Sequence, residues 1–136
     1  MFSLRNIQHW ANESLIGTMI WTLTNLCRGK PPPDIALVRD CIPALSYVIS
    51  RTTDSKIIVD AAWSLSYLSD GGDDRIEHIV VAIPVLVSIL KSVTLPALRT
   101  LGTIITGSER QAQMVIDAGF LLNSLKVLES PKVCTH

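Results

Sequence analysis

The sequence predicts an all-α fold, a right-handed superhelical solenoid of about three helical repeats, cut through repeats at both ends. Three observations carry this expectation. Apolar residues recur at helical spacing, and no segment alternates in the strand-like period of two. The segments follow one another as short helix, proline-started helix and long helix, and then repeat. Trp21 and Trp63, each on a long helix, stand 42 residues apart. A unit of that size cannot bury its apolar stripe alone, so it stacks on its neighbours, and the third helix of each repeat lines the inner surface.

Residues 1–12 mix polar and apolar side chains without a clear period and read as an irregular segment. A partial repeat follows over 13–30. Its helix starts at Glu13 and carries Leu15, Ile16, Met19, Ile20, Leu23 and Leu26 as an apolar stripe, with Trp21 and Asn25 standing elsewhere. Gly17 costs that helix roughly 1 kcal/mol relative to alanine. Gly29-Lys30-Pro31-Pro32-Pro33 stops it, because proline lacks the N–H and disfavours a helical residue before it. A repeat spans 33–70. Asp34 caps a short helix ending near Asp40. Ile42-Pro43 opens a second helix, proline being tolerated in the first turn, and Ile42, Leu45, Val48 and Ile49 continue it. Thr52-Thr53-Asp54-Ser55 breaks and recaps the chain before a long helix from Ser55 to Ser69.

Asp70-Gly71-Gly72-Asp73 ends that helix, glycine supplying left-handed backbone and Asp73 capping the next element. A shortened repeat occupies 73–106, with a short helix from Arg75 to Val81, the Ile83-Pro84 start and a long helix from about Leu95 to Ile105. A partial repeat covers 108–130. Ser108 and Gln111 have the spacing of a capping box, Gly119 ends their helix, and a last helix runs from Leu121 to Leu128. Residues 131–136 form a tail.

Twelve basic and twelve acidic residues cancel, so composition supplies no field that would favour nucleic acid, and charge recognition must be local. The apolar run from Ile79 to Leu90 is far short of the roughly 20 residues that span a bilayer, and Pro84 interrupts it. No membrane partner is expected, and no basic and apolar signal segment opens the chain. Cys27, Cys41 and Cys134 have no His or Cys at zinc-ligand spacing, which points to a reduced compartment and to neither metal nor cofactor. His9, His78 and His136 lack an acid and a nucleophile at useful spacing, and no glycine-rich loop is built to cradle phosphate. The expectation is a protein that is not an enzyme.

The informative chemistry lies on the long helices. Helical spacing puts Asp60, Trp63, Tyr67 and Asp70 on one face of the second long helix and Ile57, Ala61, Leu65 and Leu68 on another. On the first, the corresponding row is Trp21, Asn25 and Arg28. Indoles from successive repeats form slots for the aliphatic stems of Lys or Arg, carboxylates neutralise the heads, and the Asn25 amide matches the N–H and C=O of an extended backbone. Plainer roles stand beside these. Trp63 taken alone reads as a core residue, Asn25 as a bond to a neighbouring helix, and Arg28 as charge complementing a helix C-terminus. Arg99 reads as a solvated charge or a partner for Asp60.

Three stretches in order, Trp21-Thr-Leu-Thr-Asn25-Leu-Cys-Arg28, Asp60-Ala-Ala-Trp63-Ser-Leu-Ser-Tyr67-Leu-Ser-Asp70-Gly71 and Pro96-Ala-Leu-Arg99-Thr-Leu-Gly102-Thr-Ile-Ile-Thr-Gly107, resemble consecutive inner helices of the importin alpha family of armadillo-repeat proteins. Gln111-Ala-Gln113-Met-Val-Ile-Asp-Ala-Gly119 and the segment around Pro131 are also similar, so the resemblance covers about residues 19–132. It implies a nuclear import adaptor, in cytoplasm and nucleus, binding basic nuclear localisation signals of cargo. By the same resemblance, Trp21 and Trp63 sandwich basic side chains and Asn25 holds the signal's backbone. Arg28, Asp60, Tyr67 and Asp70 complete the site, and Arg99 falls where the family replaces tryptophan by arginine.

The chain departs from the family pattern at Thr103, where asparagine is usual, at Ile16-Gly17-Thr18, and in the 36-residue step from Trp63 to Arg99. That step implies residues lost near Ala82 and Ser92-Val93 and a shifted third inner helix. The resemblance is to interior repeats only. Importin beta is expected as a partner only where a basic N-terminal arm is present, and cut repeat ends favour self-association. Two tryptophan slots at about 2 kcal/mol each supply roughly 4 kcal/mol, against about 8 kcal/mol for micromolar binding, so weak or no signal binding by this chain alone is expected. The alternative is a generic armadillo or HEAT scaffold without signal recognition.

Overall fold

The structure, a computed structural model, describes residues 13–130. The expected irregular opening over 1–12 and tail over 131–136 lie outside the described residues. The described chain is all helical: α1 Glu13–Arg28, α2 Ile35–Val38, α3 Cys41–Arg51, α4 Ser55–Ser69, α5 Asp73–Ile79, a 3-10 turn Val80–Ala82, α6 Ile83–Ser88, α7 Thr94–Ile105, α8 Glu109–Asp117 and α9 Phe120–Glu129. The long helices α1, α4 and α7 form one row, with α4 packed between the other two, and α3 and α6 lie behind α4 and α7. α8 packs on α7 and α9 on α8, closing the far end.

Local chemistry sets most boundaries. The Asp34 carboxylate accepts from the Ala36 N–H, and Asp54 accepts from Lys56 and Ile57, so α2 and α4 start on side-chain caps. Ser108 and Gln111 form the full reciprocal capping box of α8. Gly119, at φ +93°, turns the chain from α8 into α9, a conformation any Cβ disfavours. Asp73 corrects the sequence reading. It is the first helical residue of α5, and Gly72, with φ +132°, occupies the cap without a side-chain bond. Asp73 and Asp74 instead act through charge at the positive end of the helix.

The core runs continuously from α1 to α8, with Ile20, Leu45, Leu65, Leu68, Leu86, Leu101, Ile104 and Val115 all essentially inaccessible. On α4 the buried positions include Ile57, Ala61, Leu65 and Leu68, the face expected from the sequence. On α1 the buried line is Ile16, Ile20, Thr24 and Cys27, while Leu15 and Leu26 face solvent. The cause is polar: the Thr24 hydroxyl sits 2.8 Å from that of Ser64 and 3.0 Å from the Asp60 carbonyl. Two hydroxyl protons shared among these acceptors satisfy the buried groups and fix the α1–α4 register. α7 lies alongside α4 although α6 has only six residues.

One buried charge spans two parts of the stack. Arg75, 6% exposed, donates to the Leu68 carbonyl at the end of α4 and to the Pro33 carbonyl before α2. A guanidinium at a helix C-terminus meets carbonyls that lack intrahelical partners.

Candidate functional site

The expected residues lie on the α1–α4–α7 row, in two zones. In the first, Trp21 projects from α1, 55% exposed. It borders an open cleft of about 390 Å³ that Glu13, Asp54 and Asp60 also line. An exposed indole beside three carboxylates suits a cationic side chain with an aliphatic stem. Asp60 is not an unpaired acid: Lys56, one turn earlier on α4, approaches its carboxylate to 2.9 Å. Lys56 remains largely exposed, so a ligand cation competes with a pair held weakly by solvent. The i, i+4 spacing made that pair legible. Glu13 comes from the start of α1, where it accepts from the Thr52 hydroxyl at 2.9 Å, and nothing local in the sequence signalled its position.

The second zone centres on Trp63. Its ring stacks on Tyr67 at a centroid separation of 5.8 Å and an interplanar angle of 27°. The Arg99 guanidinium reaches across from α7 to lie 5.7 Å from the Trp63 ring centroid. The same guanidinium stands 3.8 Å from Asp70. Arg99 therefore pairs with Asp70, not with Asp60, and lies over the indole while its side chain stays about half exposed. A cleft of about 150 Å³ beside this cluster is lined by Arg28, Lys30, Tyr67 and Asp70 among others.

Asn25 lies between the zones, half-buried, and its side-chain oxygen accepts from Arg28. Its NH₂ can meet a peptide carbonyl, and the second lone pair of its oxygen is the acceptor for a peptide N–H beside the bond from Arg28. Thr103, in the place of an expected asparagine, donates to the Arg99 carbonyl on its own helix at 3.0 Å. Cys27 lines the smaller cleft, but burial pushes its thiol up to about 11, so it stays protonated and unsuited to metal ligation or nucleophilic attack. Among the described residues, no group of three or more His, Cys, Asp and Glu is placed to hold a metal ion. Nor is any described helix long and apolar enough to cross a membrane.

One polar cluster escaped the sequence reading. Glu77 accepts from Arg110 at 2.8 and 2.9 Å and from the Gln111 amide at 2.6 Å. Hydrogen bonds from Gln111, then from Arg110, hold its carboxyl below the usual carboxylate range. The cluster joins α5 to α8 and stands apart from the two aromatic zones.

The fold and the sequence both have counterparts among known proteins. The profile of the Armadillo/beta-catenin-like repeat family matches residues 31–70. Importin subunit alpha-3 of Arabidopsis thaliana is 42% identical over 122 residues, covering 83% of this chain and 23% of the relative. The chain belongs to the importin alpha family. Importin subunit alpha-1a of Oryza sativa subsp. japonica is 44% identical over 84% of the chain and 23% of its own length. Importin subunit alpha-B of Dictyostelium discoideum is 41% identical over 69% of the chain. The chain thus spans less than a quarter of the length of the importin alpha relatives it matches. Among solved structures, a designed armadillo repeat protein in complex with the peptide (KR)4 superposes with a TM-score of 0.73 at 23% identity, covering 95% of this chain and 56% of that one. At that identity the likeness establishes the fold, an armadillo solenoid.

Proposed function

We propose that this chain binds the basic nuclear localisation signals of cargo proteins as an import adaptor of the importin alpha type. The observation that carries the proposal is the exposed Trp21 beside the Glu13, Asp54 and Asp60 carboxylates, a surface built for a cation with an apolar stem. In this reading Trp21 and Asp60 receive the basic side chain. Asn25 and Arg28 meet the peptide backbone, and Trp63, Tyr67, Asp70 and Arg99 form the remainder of the face. The role is recognition without catalysis, nucleic acid or membrane binding. Its setting is cytoplasm and nucleus, and importin beta joins only through a basic arm outside the matched stretch. Exposed leucines on α9, Leu121, Leu122, Leu125 and Leu128, offer the surface for self-association.

Affinity is expected to be low. One or two cation–aromatic contacts supply about 2–4 kcal/mol, which with charge pairs and backbone bonds corresponds to dissociation constants of roughly 10 µM to 1 mM. The test is titration of a fluorescent lysine-rich octapeptide into the chain and into Trp21→Ala and Asp60→Ala. Each substitution is expected to weaken binding several-fold; unchanged affinity in both excludes the groove reading and leaves a scaffold that docks its partner elsewhere.

A further inference from the structure

The cleft beside Trp21 already holds a cation of its own. Lys56 lines it together with Glu13, Asp54 and Asp60, and the Lys56 ammonium lies 2.9 Å from Oδ2 of Asp60. Of the three acids, Asp60 is the one from which an incoming cation gains most. Its side chain is 18% exposed, so water screens its charge least. Glu13 and Asp54 are exposed and already accept hydrogen bonds, Glu13 from the Thr52 hydroxyl and Asp54 from the N–H groups of Lys56 and Ile57. A basic side chain seated on the Trp21 indole therefore reaches Asp60 only by displacing Lys56.

The fold has no need of a lysine at this position. Lys56 is the second residue of α4, whose first turn holds no acid, and its ammonium stands at the positive end of the helix dipole, where a cation is disfavoured. The pair with Asp60 places the cation N-terminal to the acid, the weaker orientation for an i, i+4 pair. With 74% of its side chain exposed, Lys56 is screened by solvent and salt and leaves Asp60 readily. A second cleft, about 410 Å³ and bordered by Thr53, Ser55 and Ser92, adjoins the first along the Lys56–Asp60 pair and gives the released ammonium polar surroundings. A side chain that weakens its own helix while covering the best-placed acid of a binding cleft belongs to the cleft.

We propose that Lys56 is a specificity-determining residue of this cleft, an internal competitor that holds Asp60 until a better cation displaces it and so keeps the affinity for basic peptides low. The inference rests on the groove-binding reading for its biological use, but the competition for Asp60 needs no peptide. A bare ammonium ion gains nothing by changing places with Lys56. A side chain whose apolar stem also covers the Trp21 indole does, so the exchange selects cations with a stem. Removing the Lys56 charge frees Asp60, and an exposed pair of this kind corresponds to a gain of roughly 2- to 5-fold in affinity.

The experiment follows the Trp21 indole N–H resonance of the full chain by NMR, assigned through Trp21→Phe, while n-butylammonium and then the lysine-rich octapeptide are titrated in. Four proteins form a cycle: the unaltered chain, Lys56→Gln, Asp60→Asn and the double variant. Lys126→Gln, on α9, controls for net charge. Lys56→Gln is expected to lower the half-response concentration of both probes by roughly 2- to 5-fold, and Lys126→Gln to leave it unchanged. In the Asp60→Asn background the same lysine change is expected to matter by less than about 1.5-fold, since nothing is left to compete for. The urea midpoint of Lys56→Gln is expected to equal or exceed that of the unaltered chain, because a cation has left the first turn of α4.

No gain for butylammonium in Lys56→Gln, an equal gain with and without the Asp60 carboxylate, or a lower urea midpoint overturns the proposal. The two readings fail separately. If the octapeptide binds no protein of the cycle while butylammonium follows the expected pattern, the groove-binding reading falls and the competition stands. Octapeptide binding with the same affinity in the unaltered chain and Lys56→Gln leaves groove binding intact and overturns the competition. Neither probe moving Trp21 in any protein overturns both.

Discussion

Replacing Arg75 with alanine removes a guanidinium that is 6% exposed and whose recorded partners are the Leu68 and Pro33 carbonyls. No carboxylate is in ion-pair contact with it among the described residues. A hydrogen bond from a charged group contributes about 1.5–3 kcal/mol, and the 3.4 Å bond to Leu68 belongs at the low end. Against this stands the desolvation of the buried cation, several kcal/mol, which the alanine variant recovers. The variant also leaves carbonyls without donors, at about 1–3 kcal/mol each, and a void where the side-chain stem lay. The balance is a loss of about 2–4 kcal/mol, or near 8–16 °C in melting temperature for a chain of this size. Urea denaturation followed by far-UV circular dichroism measures it, with the midpoint falling and the slope unchanged. Arg75→Met separates the causes, since it keeps the apolar stem and lacks the donors. A loss under 0.5 kcal/mol in Arg75→Ala, or full stability in Arg75→Met, refutes the carbonyl-bridging role.

Thr24→Val removes the hydroxyl that meets Ser64 and the Asp60 carbonyl and is expected to cost about 1–2 kcal/mol; the double variant with Ser64→Ala is expected to lose less than the sum of the singles, as a double-mutant cycle in urea reads directly. Gly17→Ala is expected to stabilise α1 by about 0.5–1 kcal/mol, because a Cβ there meets Ile57 at an ordinary 3.6 Å; a lower melting temperature contradicts this. Glu77 has a carboxyl that ionises at lower pH folded than unfolded, so its contribution is complete above the unfolded value near 4.5 and is lost as pH falls through the folded value. Glu77→Gln is accordingly expected to flatten the acid side of the stability profile.

Elements with local causes were legible in the sequence. Asp34, Asp54 and the Ser108–Gln111 pair mark helix starts because capping acts over three residues, and the apolar face of α4 follows from its spacing alone. What stayed hidden depends on groups brought together from distant positions. Thr24 is buried with its hydroxyl bonded to the Ile20 carbonyl on its own helix and to Ser64 and the Asp60 carbonyl across from it, while Leu15 and Leu26 face solvent. Arg75 reads as a surface charge until Pro33 and the end of α4 are placed around it. Within the candidate site Trp21, Trp63, Tyr67, Asp60 and Asp70 were readable from helical spacing and from the resemblance, whereas Glu13 and Asp54, which line the Trp21 cleft, were not. The pairing of Arg99 with Asp70 across α7 and α4 was not, since it is set by how α7 lies against α4.

The central claim is that the Trp21 cleft recognises basic peptide side chains. Isothermal titration calorimetry of the lysine-rich octapeptide, run at about 50 and 200 mM salt on the unaltered chain and on Trp21→Ala, tests it most directly. The account predicts a dissociation constant of roughly 10 µM to 1 mM that weakens with added salt as exposed charge pairs are screened, and several-fold weaker binding by Trp21→Ala. Submicromolar affinity, salt-independent binding, or the same affinity without the Trp21 indole contradicts it.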